Sequence, residues 1–175
     1  MSQNSKRLHN QEFLVVGTER IWIEALALLF KASHITSLDY THKRYEHSAF
    51  NWFHVNEFLN LLVQKNKFIE QFANAASYSS IEHSGLGRYG EALNPIGDIE
   101  AVQMVKCLLR PNGLFFLGLP TSKDNTSYLE FNARRVYGHE RLEILLNGWT
   151  VVKQLKNLGD TFDDTLFILE KKSVC

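Results

Sequence analysis

Phe72-Ala73-Asn74-Ala75-Ala76-Ser77-Tyr78-Ser79-Ser80-Ile81-Glu82-His83-Ser84-Gly85-Leu86-Gly87-Arg88-Tyr89-Gly90 decides how the chain is read. Its first seven residues form an apolar run of strand length. The polar segment after them continues to Asp98 and holds four of the ten glycines in the chain. Glycine costs backbone entropy and is placed where the chain bends tightly or approaches something closely. Between those glycines sit Glu82, His83, Arg88 and Tyr89, which can move protons, carry charge or donate hydrogen bonds. A long polar loop leaving a buried strand is a common seat of function. The same composition also suits a structural loop whose polar groups satisfy one another.

Working upstream, Glu12 to Gly17 is an apolar run ending in glycine, the pattern of a buried parallel strand. Thr18 is placed to cap a helix that carries Ile21, Trp22, Ala25, Leu26, Leu28 and Leu29. Trp22, close to Gly17, is expected to pack into the core. His34 to Asp39 is a second strand, and strand, helix and strand in that order predict a right-handed parallel unit. Thr41 to Ser48 reads as loop and Phe50 to Val55 as a third strand. Asn56 then caps a helix with Phe58, Leu59, Leu61, Leu62 and Val63 on its apolar face.

Downstream, Asp98 reads as the cap of a helix with Ile99, Val102, Val105, Leu108 and Leu109 on one side. Arg110-Pro111-Asn112-Gly113 is a turn, and Leu114 to Leu119 is a mid-sheet strand covered on both faces. Pro120 to Glu130 reads as a polar loop, and Phe131 to Tyr137 has no clear period. His139 to Leu146 is helical and stops at Asn147-Gly148. Trp149 to Leu155 and Thr165 to Glu170 alternate like strands. With no helix between them they are expected to pair antiparallel. The reading is one α/β domain over residues 12–172 behind a disordered tail, residues 1–11.

A chain of 175 residues suits one domain with a sizeable core. Nineteen basic and nineteen acidic residues give no net charge, which argues against broad nucleic-acid binding. No run approaches the length of a membrane span, and the amino terminus has no secretory apolar region. Cys107 falls on a helical apolar face and reads as a buried thiol; with Cys175 terminal and no paired-cysteine motif, an intracellular, cytoplasmic setting is the expectation. His42, His47 and His54 lack zinc-ligand spacing, so no metal is expected.

The element order resembles that of the class I S-adenosylmethionine-dependent methyltransferases. Leu14-Val15-Val16-Gly17 is similar to their first strand and its glycine. Asp39 stands about twenty residues on, where such folds place an acid for ribose hydroxyls. Leu108-Leu109-Arg110-Pro111-Asn112-Gly113-Leu114 resembles their turn into the fifth strand, and Tyr78 to His83 the end of their fourth. The central motif, together with Asn94-Pro95-Ile96-Gly97-Asp98, Phe131 to Gly138 and Val16 to Ala25, is more narrowly similar to a nematode-expanded family described only as a domain of unknown function. The resemblance implies a Rossmann-like sheet in order 3-2-1-4-5-7-6 with an antiparallel C-terminal hairpin. It departs after Gly17, where Thr18-Glu19-Arg20-Ile21-Trp22 replaces a glycine-rich turn. The chain also opens at the first strand and reads as a shortened form.

The resemblance places a cofactor site for S-adenosylmethionine at Gly17, Glu19, Asp39 and Ser79. Glu82 and His83 are the candidate catalytic pair, with His83 a general base near neutral pH, or else a hydrogen-bonded pair that pins the loop. Arg88, Tyr89, Arg134, Arg135 and Tyr137 are the candidate substrate contacts, the arginines for a carboxylate or phosphate and the tyrosines for a ring. Loops leaving strands four and five on one edge are expected to converge, with Glu82 free to bridge to Arg134 or Arg135. The function expected is methyl transfer to a small polar or anionic substrate. The alternative is a non-catalytic binding or scaffold protein that kept the fold. A nicotinamide enzyme is disfavoured because no G-x-G-x-x-G occurs.

Overall fold

The computed structural model describes residues 9–172. The chain runs β1 (Glu12–Val16), α1 (Trp22–Leu29), β2 (His34–Asp39), β3 (Phe50–His54), α2 (Val55–Lys65), β4 (Phe72–Tyr78), a short 3-10 turn (Ile81–His83), α3 (Gly97–Leu108), β5 (Leu109–Thr121), β6 (Tyr128–Glu130), β7 (Arg134–Val136), α4 (His139–Leu145), β8 (Trp149–Asn157) and β9 (Asp163–Lys171). Seven strands form one sheet in the order β3-β2-β1-β4-β5-β9-β8. The first five are parallel. β9 inserts antiparallel between β5 and β8. Counting only the strands of this sheet, that is the expected order 3-2-1-4-5-7-6.

The apolar runs explain the middle of the sheet. Leu14, Val15, Phe115 and Leu117 have no exposed surface, as strands covered on both faces require. α2, α3 and α4 cover one face through Phe58, Val102, Val105, Leu108 and Leu145. α1 covers the other through Ile23 and Ala27, packed with Phe13, Val15 and Ile35. The parallel strands direct their carboxyl ends to one edge, so the turns after β1, β2, β4 and β5 all begin there.

Several local expectations are corrected. α1 turns Ile23, Glu24 and Ala27 inward, while Ile21, Trp22, Leu26 and Leu29 are exposed. Nearly every residue of this helix is apolar, so periodicity offered no contrast between faces. Glu24 is held instead by polar partners, accepting from Ser37 Oγ at 3.0 Å and Tyr45 Oη at 2.9 Å. Trp22 is 47% exposed and meets Tyr78 edge-on at 5.6 Å, outside the core. Thr18 does not cap α1, whose N-cap is Ile21; its hydroxyl donates to the Arg20 carbonyl instead. His54, and not Asn56, caps α2 by accepting from the Asn56 N–H. Asp98 lies inside the first turn of α3, fully buried.

The expected turn Arg110 to Gly113 is a bulge inside β5, where the register jumps between Phe72 and Asn74 on the partner strand. β5 extends to Thr121, and the segment read as loop and ambiguous chain forms the antiparallel hairpin β6–β7. Short strands of three residues carry too little alternation to be seen in sequence. Cys107, expected as a buried thiol, is half-buried and is not a free thiol. Of the expected tail, residues 1–8 lie outside the described residues, as does Cys175. Asn10, by contrast, is tied down through its N–H to the Lys31 carbonyl at 2.7 Å.

Candidate functional site

The first part of the site is the turn after β1. Gly17 has φ +63°, and its N–H bonds the Leu38 carbonyl at 2.8 Å. A Cβ at this position would stand 1.8 Å from Ser80 Oγ. Glycine is therefore demanded twice, by the left-handed backbone and by the side chain lying over it. Asp39 ends β2 beside it. Its carboxylate accepts from the Thr18 N–H at 3.2 Å and the Thr41 N–H at 2.9 Å, and pairs with Lys43 at 3.0 Å. Asp39 thus ties the turn after β1 to the turn after β2. Glu19 and Ser79 are exposed on this edge, and Ser79 has φ +50°. The ring of Tyr40 lies parallel to Tyr89, with centroids 6.5 Å apart and planes 11° apart.

The second part is the 3-10 turn after β4. All three of its residues are buried. His83 Nδ1 lies 2.5 Å from the Ala133 carbonyl oxygen. A carbonyl only accepts, so Nδ1 carries the proton and Nε2 keeps its lone pair. Nε2 stands 3.8 Å from Glu82 Oε1. The Glu82 side chain has no exposed surface, and neither of its carboxylate oxygens has a hydrogen-bond partner. Burial pushes its pKa up to about 7, against the opposing pull of Ser79 and Arg134. Burial also lowers that of His83, and Arg88 and Arg134 add to the effect while the Ala133 carbonyl opposes it. Near neutral pH the pair is an imidazole with a free nitrogen beside a half-ionised acid.

The two loops do converge, through contacts other than the expected carboxylate bridge. Arg88 Nη1 donates to the Asn132 carbonyl at 3.0 Å and its guanidinium lies over Tyr89. Arg134 pairs with Glu130 at 3.0 Å and lies over the Phe162 ring. Arg135 is buried. It donates to the backbone carbonyls of Glu82 and Ser84 from Nη1, and of Asn94 and Pro95 from Nη2. Tyr137 is fully buried, and its hydroxyl donates to Asp98 Oδ2 at 3.0 Å. Tyr137 is thereby corrected from a ligand contact to an internal tie, and Arg135 clamps the glycine-bearing loop.

Asp98 and Arg141 were invisible to sequence reasoning as site residues. Arg141 donates from Nε to Asp98 Oδ2 at 2.9 Å and from Nη2 to Oδ1 at 2.6 Å. Arg135 Nε stands 3.7 Å from the same carboxylate. One acid therefore faces two guanidinium groups and a phenol. A single aspartate at a helix start reads as a cap, and a single arginine on a helix as a surface charge. Tyr40 was missed as well, although it directly follows Asp39. Beside this cluster a cleft of about 480 Å³ opens between the loop after β4 and the β6–β7 hairpin, lined by Leu86, Leu93, Tyr128, Leu129, Arg135 and Arg141. Among the described residues no group of histidine, cysteine and acidic side chains could hold a metal ion, and no helix is long and apolar enough to cross a membrane.

Residues 10–165 match the family model described as "Caenorhabditis protein of unknown function, DUF268". No curated protein matches the chain. Among solved structures, the Burkholderia thailandensis 1,6-didemethyltoxoflavin-N1-methyltransferase, bound to 1,6-didemethyltoxoflavin and S-adenosylhomocysteine, aligns with a TM-score of 0.72 at 15% identity, over 97% of this chain and 75% of that one. The N-methyltransferase NodS from Bradyrhizobium japonicum WM9, in complex with S-adenosylhomocysteine, aligns at 0.63 and 17% identity, over 97% and 85%. The [4+2]-cyclase SpnF aligns at 0.70 and 11% identity, over 94% and 75%. At these identities the likeness is one of fold: the sheet and its hairpin are those of the class I methyltransferases.

Proposed function

The chain belongs to that Caenorhabditis family, and we propose that it is an S-adenosylmethionine-dependent methyltransferase acting on a small polar or anionic substrate. The observation that carries the reading is the fully buried carboxylate of Glu82 at 3.8 Å from His83 Nε2. A buried ionisable group is costly to keep charged. Strongly shifted acids of this kind gather at reacting sites.

The residues at the β1–β2 edge fit the cofactor. Asp39 offers carboxylate oxygens at the end of β2, the chemistry that ribose hydroxyls require. Tyr40 and Tyr89, parallel and 6.5 Å apart, offer aromatic faces on the same edge for a flat ring to stack against. Exposed Glu19 suits an ammonium group, and Ser79 offers a hydroxyl on the same edge. When bound there, S-adenosylmethionine supplies an electrophilic methyl group. His83 Nε2 takes the proton that a substrate hydroxyl or amine gives up on becoming methylated, while its Nδ1–H stays with Ala133 and holds the ring in place. Ionised Glu82 stabilises the resulting imidazolium. Arg88 and Arg134 supply positive charge beside the pair.

The competing reading, a non-catalytic binding protein, draws on one observation: Ser80 covers the face of Gly17 that a glycine-rich turn would leave open. The test is turnover, read as S-adenosylhomocysteine released in the presence of a pool of small acids, phenols and amines. His83→Ala is expected to remove turnover while leaving S-adenosylhomocysteine binding intact. Turnover unchanged in that variant would overturn the role given to His83.

A further inference from the structure

The cleft beside Asp98 has a lining of two opposed kinds. Its walls and rim are apolar side chains left in solvent: Leu93 is 80% exposed, Leu129 59% and Tyr128 40%. Large apolar side chains gathered around one concavity are a mark of a binding surface. Its base is cationic. Arg135 and Arg141 face one carboxylate, that of Asp98, so two positive charges meet one negative and a net positive charge remains.

The donors differ between the two arginines. Arg135 spends both terminal nitrogens on four backbone carbonyls and turns Nε toward Asp98. It gives the cleft charge and offers no free fork. Arg141 commits Nε and Nη2 to Asp98 and Pro95. Its Nη1, with two N–H groups, makes no hydrogen bond among the described residues, and its side chain is partly exposed. A volume of about 480 Å³ is that of a small-molecule site.

We propose that this cleft binds a small apolar or aromatic carboxylic acid, with the carboxylate on Arg141 Nη1 and the apolar body against Leu86, Leu93 and Leu129. The assignment stands on the lining of the cleft itself, which includes none of Gly17, Asp39, Glu82 and His83. Charge-assisted bonds to a carboxylate are roughly twice as strong as neutral ones. The cleft therefore separates an acid from its neutral amide and from the corresponding amine, which the net positive base repels.

The experiment titrates the full chain with phenylacetate, phenylacetamide and phenethylamine, followed by saturation-transfer NMR and calorimetry, with S-adenosylhomocysteine titrated separately. Phenylacetate is expected to bind at least about tenfold more tightly than either neighbour. Arg141→Gln is expected to erase the difference between acid and amide. Leu129→Glu, on the exposed rim, is expected to weaken phenylacetate about tenfold or more by setting a like charge beside it. If Arg141→Gln fails to fold, the acid-to-amide ratio and Leu129→Glu decide the matter. Equal affinity for acid and amide, or a Leu129→Glu protein that binds phenylacetate as the parent does, overturns the proposal. Acid binding without S-adenosylhomocysteine binding keeps the cleft and removes methyl transfer; the reverse result removes the cleft alone.

Discussion

Glu82 Oε1 lies 3.8 Å from His83 Nε2, within reach of electrostatic coupling and beyond hydrogen-bond length. The Glu82 carboxylate has no exposed surface, while the His83 side chain keeps 11% of its own.

Stability should depend on pH through Glu82. Its folded pKa is about 7 against a usual value of 4.5. Between those values the folded protein keeps a proton that the unfolded chain has lost. The contribution of Glu82 is therefore greatest below pH 4.5 and falls as pH rises to about 7, by about 3 kcal/mol. Glu82→Gln cannot ionise. Its unfolding free energy relative to the parent should rise across that window and level off above it. Urea denaturation of both proteins at pH 5 and pH 8 checks this, and a difference that does not change with pH contradicts it. His83, lowered by burial, titrates in the opposite sense, and at 3.8 Å from Glu82 the difference between the two proteins reads the pair.

The network around Asp98 should be the most sensitive polar feature of the fold. Asp98→Asn leaves two guanidinium groups without their counter-charge and is expected to cost about 3–5 kcal/mol. Tyr137→Phe removes one hydrogen bond to a charged group and is expected to cost about 1.5–3 kcal/mol. Because both act on one carboxylate, the double variant should lose less than the sum. Chemical denaturation measures all three, and strict additivity would show that the two groups act separately.

Gly17→Ala is expected to destabilise the fold by more than about 1 kcal/mol, from positive φ and from collision with Ser80. Adding Ser80→Gly should recover the steric share and leave the backbone strain. If the single variant folds as stably as the parent, the close approach of Ser80 is not a constraint.

Tyr89 is half-exposed, so Tyr89→Ala should leave stability unchanged. Its parallel arrangement with Tyr40 is expected to contribute about three- to tenfold to S-adenosylhomocysteine affinity. Calorimetry on the variant checks this, and unchanged affinity excludes the aromatic contact.

The sheet was legible because its strands are near-continuous apolar runs. Phe72 to Tyr78 and Leu114 to Leu119 could lie nowhere but inside, and the helix-free gap after Trp149 to Leu155 required an antiparallel return. α1 was read on the wrong face because Ile21 to Leu29 is apolar on every side. The hairpin β6–β7 escaped because its strands are three residues long. At the site, the glycine spacing marked the loop after β4, and the buried Glu82 and His83 lie in it. What sequence could not show was where each charge would be spent. Arg134 and Arg135 are adjacent in the chain, yet one pairs with Glu130 near the surface and the other is buried against four carbonyls. Asp98 lies 39 residues before Tyr137 and 43 before Arg141, and meets them only through tertiary packing.

The central claim is that the β1–β2 edge holds S-adenosylmethionine although Thr18 to Trp22 replace a glycine-rich turn. Isothermal titration of the full chain with S-adenosylhomocysteine tests it most directly. The expected result is one site with a Kd on the order of micromolar, weakened at least about tenfold by Asp39→Ala through loss of the acceptor for two hydroxyls. No heat of binding at millimolar S-adenosylhomocysteine, in a protein shown by its unfolding transition to be folded, would contradict the claim and leave the fold without its cofactor.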